Sequence, residues 1–225
     1  MSQENSADRP EWGDRELREA RWPASVAVVL AIVLYETLPS RLTVGPAWLL
    51  PTLEAALLVP LSFMSPYRHP EETRLGRATS IALIAIISAF NLVALTHLLY
   101  DLVQKGISDA HELLFSSVQI WLTNVIIFGL WYWELDRGGP ALRRRAHQRE
   151  PDFLFPQMAT PNVAPSGWEP GFVDYLYVAF TNATAFSPTD TLPLTPWAKL
   201  LMLVQSLASL LTIALVAARA VNILK

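Results

Sequence analysis

Apolar residues gather in five long stretches, and charged residues gather between them. The first stretch runs from about Pro23 to Leu38, with Trp22 at its start, where an interfacial aromatic is favoured. The second runs from about Ala47 to Met64 and carries Pro51, Glu54 and Pro60, which predict a kink. The third covers about Ala78 to Leu102. The fourth covers about Leu113 to Trp133 and closes on the aromatic run Trp131-Tyr132-Trp133. The fifth covers about Trp197 to Leu224. Each is read as a transmembrane helix, since a span needs roughly 20 mainly apolar residues.

Two segments break this pattern. Residues 137–171 hold Gly138-Gly139-Pro140, then Arg143-Arg144-Arg145, then prolines at 151, 156, 161, 165 and 170. No helical period survives there, so the segment is read as a solvated linker. Residues 172–196 behave differently. Phe172–Thr184 predicts a short amphipathic helix with aromatics at Phe172, Tyr175, Tyr177 and Phe180. Such a helix reaches only ~20 Å, against a hydrocarbon core of about 30 Å. The polar run Ser187-Pro188-Thr189-Asp190-Thr191 follows it, and then comes a full apolar helix. That order predicts a re-entrant loop. Non-helical backbone at membrane depth is tolerated only where it lines water or is buried in protein, so the segment is a pore, a binding cavity or a protein-packed interior.

Charge sharpens this picture. Hydrophobic residues make up 52% of the 225 residues and charged residues only 16%, concentrated in 1–21, 68–77 and 134–152. The net charge of −3 argues against nucleic acid as a partner. The chain has no cysteine, which excludes disulfides, thiolate metal sites and cysteine nucleophiles. The first residues carry no apolar core, so the first span is expected to act as an uncleaved membrane signal. With five spans and the N-terminus in the cytoplasm, thirteen of the 17 basic residues fall on the inner side. The same topology places the re-entrant loop on that side.

The run Thr181–Leu200, TNATAFSPTDTLPLTPWAKL, resembles the pore region of tetrameric potassium channels. In that family a short pore helix leads into the filter T-V-G-Y-G-D, with proline, threonine and an aromatic or small residue before the inner helix. Thr181, Thr184, Asp190, Pro193, Thr195 and Trp197 fall in register with that pattern, over about residues 113–225. The resemblance implies a tetramer in which the fourth span is the outer helix and the fifth the inner helix. It makes Thr184, Ala185, Phe186, Ser187, Pro188, Thr189 and Asp190 the pore and filter positions. The filter itself departs from the family, because Ala185–Thr189 contains neither glycine. Glycine enters left-handed backbone without a Cβ penalty, and Pro188 fixes φ near −65°. A regular cage of backbone carbonyls is therefore not expected. An inner-side loop also inverts the potassium-channel arrangement, as in glutamate-receptor-type channels. The chain is similar, too, to an uncharacterised family of bacterial integral membrane proteins sharing a Phe-Thr run, a Ser/Thr-Asp turn and a long last helix. That likeness implies no activity.

Individual residues carry two readings each. Ser187, Thr189, Asp190 and Thr191 either line an ion or solute path or form a turn that caps itself. Gln205, Ser209, Thr212, Val216 and Arg219 share one face of the last helix, which either lines water or packs against another helix. Glu54 is an ionisable group in mid-span, with Asn91, His97 or Asn124 as candidate partners. Arg143–Arg145 are read as a cytoplasmic topology anchor, with anionic lipid as a further partner. No G-x-S-x-G, H-E-x-x-H or phosphate-binding glycine loop is present, so neither enzyme chemistry nor a cofactor is expected. No span repeats arginine at every third position, which argues against a voltage sensor.

The expectation is an all-α membrane protein with five transmembrane helices and a re-entrant pore helix and loop between the last two. Residues 1–21 form a cytoplasmic segment, 22–112 a three-span peripheral part, and 113–225 the outer helix, linker, pore loop and inner helix. The function expected is a cation-conducting, homotetrameric pore-loop channel or channel-like protein in the cell (inner or plasma) membrane. It would pass monovalent cations with poor potassium selectivity and sit among membrane lipids. The alternative is a non-conducting scaffold or small-solute binder with a plugged loop.

Overall fold

A computed structural model describes residues 22–43, 52, 74–104, 110–145, 150–160, 163–164, 168–185 and 190–223. The expected second span and Glu54 lie outside the described residues, as do filter positions 186–189.

The described chain is mainly helical. Helix α1 is Trp22–Glu36, α2 is Arg74–Gln104 and α3 is Ala110–Leu135. After a short 3-10 turn at Asp136–Gly138 come α4 (Pro140–Arg145), strand β1 (Phe153–Leu154) and α5 (Pro156–Ala159). Helix α6 is Phe172–Ala185, β2 is Leu192–Pro193 and α7 is Pro196–Ile223. Three segments are long and apolar enough to cross a membrane: Gly76–Leu102, His111–Gly138 and Pro196–Ala214. They correspond to the third, fourth and fifth expected spans. Helix α1 has 15 residues, or ~22 Å, short of a hydrocarbon core by itself. Thr37 ends it by turning its hydroxyl back onto the carbonyls of Val33 and Leu34, at 2.9 and 3.0 Å, just before Pro39.

Helix α3 is the axis of the fold and packs against α1, α2, α6 and α7. Two-thirds of its apolar window is buried (67%), against 33% for α2 and 28% for α7. Ala24, Ala27, Val28 and Ala31 recur at helical spacing, and this small-residue face of α1 joins the core centred on α3. Gly129 lets α6 come close, since a Cβ there would lie 3.1 Å from the Cα of Leu176. Helices α2 and α3 run antiparallel: Arg77 at the start of α2 faces Glu134 at the end of α3, and Asp101 near the end of α2 shares Arg41 with Glu112. Outward faces are apolar, with Val26, Val29 and Val33 exposed on α1 and Leu203, Leu207 and Leu210 on α7.

The segment read as a solvated linker is folded onto the bundle. Phe153 is fully buried, Phe155 nearly so, and β1 pairs antiparallel with β2 in the register Phe153↔Pro193 and Leu154↔Leu192. The prolines do interrupt the backbone, but the aromatics between them have an apolar surface to enter. Arg143, read with Arg144 and Arg145 as a cytoplasmic topology anchor, is likewise wholly buried.

Candidate functional site

The short helix packs against both α3 and α7. Asp174 stabilises the start of α6: its carboxylate accepts the Gly171 N–H at 2.8 Å and lies in the positive first turn. Helix α6 runs antiparallel to α3, with Phe172 against Trp133 at its start and Phe180 against Trp121 further on. Near its end Asn182 reaches Met202 and Gln205 of α7. By Leu192 and Pro193 the chain is back beside Phe153, whose ring also meets Tyr175 in the first turn of α6 and Trp197 in the first turn of α7. The segment therefore enters and leaves at the same end of α3.

A seam of hydrogen-bonded polar groups holds α6 against α3 and α7. Gln205 is fully buried; its Oε1 accepts the Tyr132 hydroxyl at 2.6 Å and Asn182 Nδ2 at 2.8 Å, and its Nε2 donates to the Ala179 carbonyl at 2.8 Å. Asn182 Nδ2 also donates to the Met202 carbonyl at 3.0 Å, while its Oδ1 accepts the Ser206 hydroxyl at 3.1 Å. Further along, Asn124 donates to Ser209 at 3.0 Å and the Thr212 hydroxyl bonds back to Ala208. Buried polar groups demand partners of this kind, and a satisfied network fixes one arrangement of three helices.

Above the seam lies a second network. Asp136 and Arg143 are both fully buried, 3.7 Å apart at Oδ2 and Nη1. Arg143 Nη1 donates to the Trp133 carbonyl at 3.0 Å and to the Tyr175 hydroxyl at 3.1 Å, and its guanidinium lies 5.0 Å from the centre of the Tyr175 ring. The Tyr175 hydroxyl in turn donates to Asp136 Oδ2. The Asp152 N–H donates to Asp136 Oδ1 at 2.8 Å, and the Asp152 carboxylate accepts Trp197 Nε1 at 2.9 Å. Six aromatic rings (Tyr132, Phe153, Tyr175, Trp197, Phe155 and Trp168) form a connected cluster that meets the network at Tyr175 and Trp197.

The expected site residues divide as follows. Thr184 and Ala185 are exposed at the end of α6, and Asp190 is exposed at the start of the return; Phe186, Ser187, Pro188 and Thr189 lie outside the described residues. Gln205, Ser209 and Thr212 do share a face of α7, but that face is turned into the chain against α3 and α6, where Tyr132, Asn182 and Asn124 meet it. Val216 is half-buried beyond them, and the side chain of Arg219 is not described. The sequence does not single out Asp136 or Asp152, and it offers Arg143 only as a topology anchor and Tyr175 only as an aromatic of the short helix. Their one local signal was a pair of acids beside a proline-rich run that also carried phenylalanines. No family model, curated protein or solved structure matches the chain.

Proposed function

We propose that the chain is one subunit of a homotetrameric pore-loop cation channel or channel-like protein, embedded in the cell membrane with its N-terminus in the cytoplasm. One observation carries this reading: α6 enters beside the end of α3, stops level with Gln205, and the chain returns to the same end. Its 14 residues reach ~21 Å, so in a bilayer the end of α6 lies within the apolar layer. Backbone groups there need protein or water. The chain itself leaves Thr184 and Ala185 exposed at that end. A single loop encloses no path, whereas four copies about an axis do. The basic residues support the orientation, with Arg77, Arg137, Arg143 and Lys199 at the end where α6 enters and Arg41 at the other.

In this assembly Asp190 rings the mouth of the path, attracting cations and excluding anions. The filter positions lack glycine, so hydrated coordination by hydroxyls replaces a carbonyl cage, and potassium is poorly separated from sodium. The polar stripe of α7 serves to anchor α6 and does not line the path. That placement also favours a second reading, a non-conducting scaffold or solute binder whose loop is sealed, since the exposed residues of α7 from Leu203 to Leu211 are Leu203, Val204, Leu207, Leu210 and Leu211, all apolar.

Cation flux into proteoliposomes separates the two. The channel reading predicts flux with little preference between potassium and sodium, lowered by Asp190→Asn while assembly persists. Absence of flux from correctly assembled protein contradicts it and favours the sealed loop.

A further inference from the structure

Asp152 lies more than forty residues before α7 in sequence, yet its four polar groups hold three separate segments. Its N–H donates to Asp136 Oδ1 at 2.8 Å. Its Oδ2 accepts the Arg137 N–H at 2.8 Å, and its Oδ1 accepts Trp197 Nε1 at 2.9 Å. Its carbonyl accepts the Leu194 N–H at 2.8 Å. Phe153 continues the tie by pairing with Pro193 and sending its ring between Tyr132, Tyr175 and Trp197. One turn of linker thus joins the end of α3, the return segment and the first turn of α7.

The joint is also strained. Arg137 has φ 52° and ψ 22°, the left-handed region that a residue with a Cβ occupies only when its surroundings impose it. The Asp152 carboxylate supplies that constraint by holding the Arg137 N–H. Gly138 and Gly139 continue with φ of 87° and 97°, which gives a hinge of three successive positive-φ residues. Asp152 is half-buried at the end of the bundle, where water competes for its hydrogen bonds, whereas Asp136 and Arg143 beneath it are sealed. The side-chain bonds of Asp152 to Arg137 and Trp197 therefore break without removing the Asp152 N–H from Asp136 or opening the Gln205 seam.

We propose that residues 150–155 form a gating strap: engaged, they lock the start of α7 and the return segment to the end of α3; released, they free both to move. This rests on the pore-loop reading and adds a regulatory element to it. The relevant equilibrium is between two states of a local unit, and a variant shifts it by the interaction it removes.

The test uses the full-length protein in liposomes, with Trp197→Phe, which keeps an aromatic ring and loses the N–H, and Asp152→Asn, which keeps the shape and loses the charge. Flux of potassium and hydrogen exchange of the backbone at 192–198 are measured together, with assembly checked by size. The strap predicts that both variants raise flux roughly fivefold, the shift expected from losing one ordinary hydrogen bond, together with faster exchange. Faster exchange with unchanged flux, in a protein that conducts, assigns Asp152 a purely structural role and overturns the strap. If the wild type and both variants stay assembled and none conducts, the pore-loop reading falls and the strap falls with it.

Discussion

Arg41 reaches Glu112 at 3.0 Å and Asp101 at 3.9 Å at one end of the bundle, and at the other Arg143 lies 3.7 Å from Asp136. The charges are alike, but the surroundings differ. Arg41 and Glu112 are 37% and 34% exposed, while Arg143 and Asp136 show no exposed side-chain surface. Water solvates and screens the first pair, whose net worth is small. The second pair has given up its hydration and depends on Tyr175, the Trp133 carbonyl and the Asp152 N–H to replace it. Such a pair adds little net stability over an apolar substitute, yet losing one member leaves an uncompensated buried charge. Fixity at the end where α6 enters thus comes from interdependence, whereas at the opposite end the Arg41–Glu112 pair stands in water and only its neighbour Asp101 is buried.

Arg143→Met tests this most severely. It is expected to lower stability by about 3–5 kcal/mol in a detergent unfolding titration, because Asp136 is stranded. The double variant Asp136→Asn/Arg143→Met should recover a substantial part of that loss, and additive losses would contradict the interdependence. Gln205→Leu, in the seam between the two ends, should cost about 2 kcal/mol or more, since the Tyr132 hydroxyl, the Asn182 amide and the Ala179 carbonyl all lose a partner. A neutral result there would mean that water enters the seam. Glu112→Gln, which touches only the exposed pair, is expected to cost less than about 1 kcal/mol, and that small loss should fade further at high salt. A larger or salt-independent loss would erase the contrast between the ends.

The sequence made some of this legible and hid the rest for identifiable reasons. Long apolar runs announced α2, α3 and α7, because hydropathy over some twenty residues needs no knowledge of neighbours. The short helix was read as Phe172–Thr184 and is found as Phe172–Ala185, since its aromatic spacing and the polar turn after it are local signals. The period of Gln205, Ser209 and Thr212 showed that they share a face of α7. Period alone does not say what that face meets, and Tyr132 and Asn182, which answer it, lie 73 and 23 residues away. The linker was misread for the same reason. Its prolines are a local signal for irregular backbone, but the burial of Phe153 depends on Tyr132, Tyr175 and Trp197, none of them nearby in sequence. Arg143 looked like a solvated cation beside Arg144 and Arg145 until Asp136 and Tyr175 were placed against it.

In the proposed assembly α6 and its return belong to a path enclosed by several copies of the chain. The symmetry of the purified, full-length particle, seen by electron cryo-microscopy in lipid nanodiscs, tests it most directly. The account predicts a fourfold axis, with the end of α6 and Asp190 of each copy turned towards it. A monomer, or an assembly in which the end of α6 is packed shut away from any axis, would contradict it.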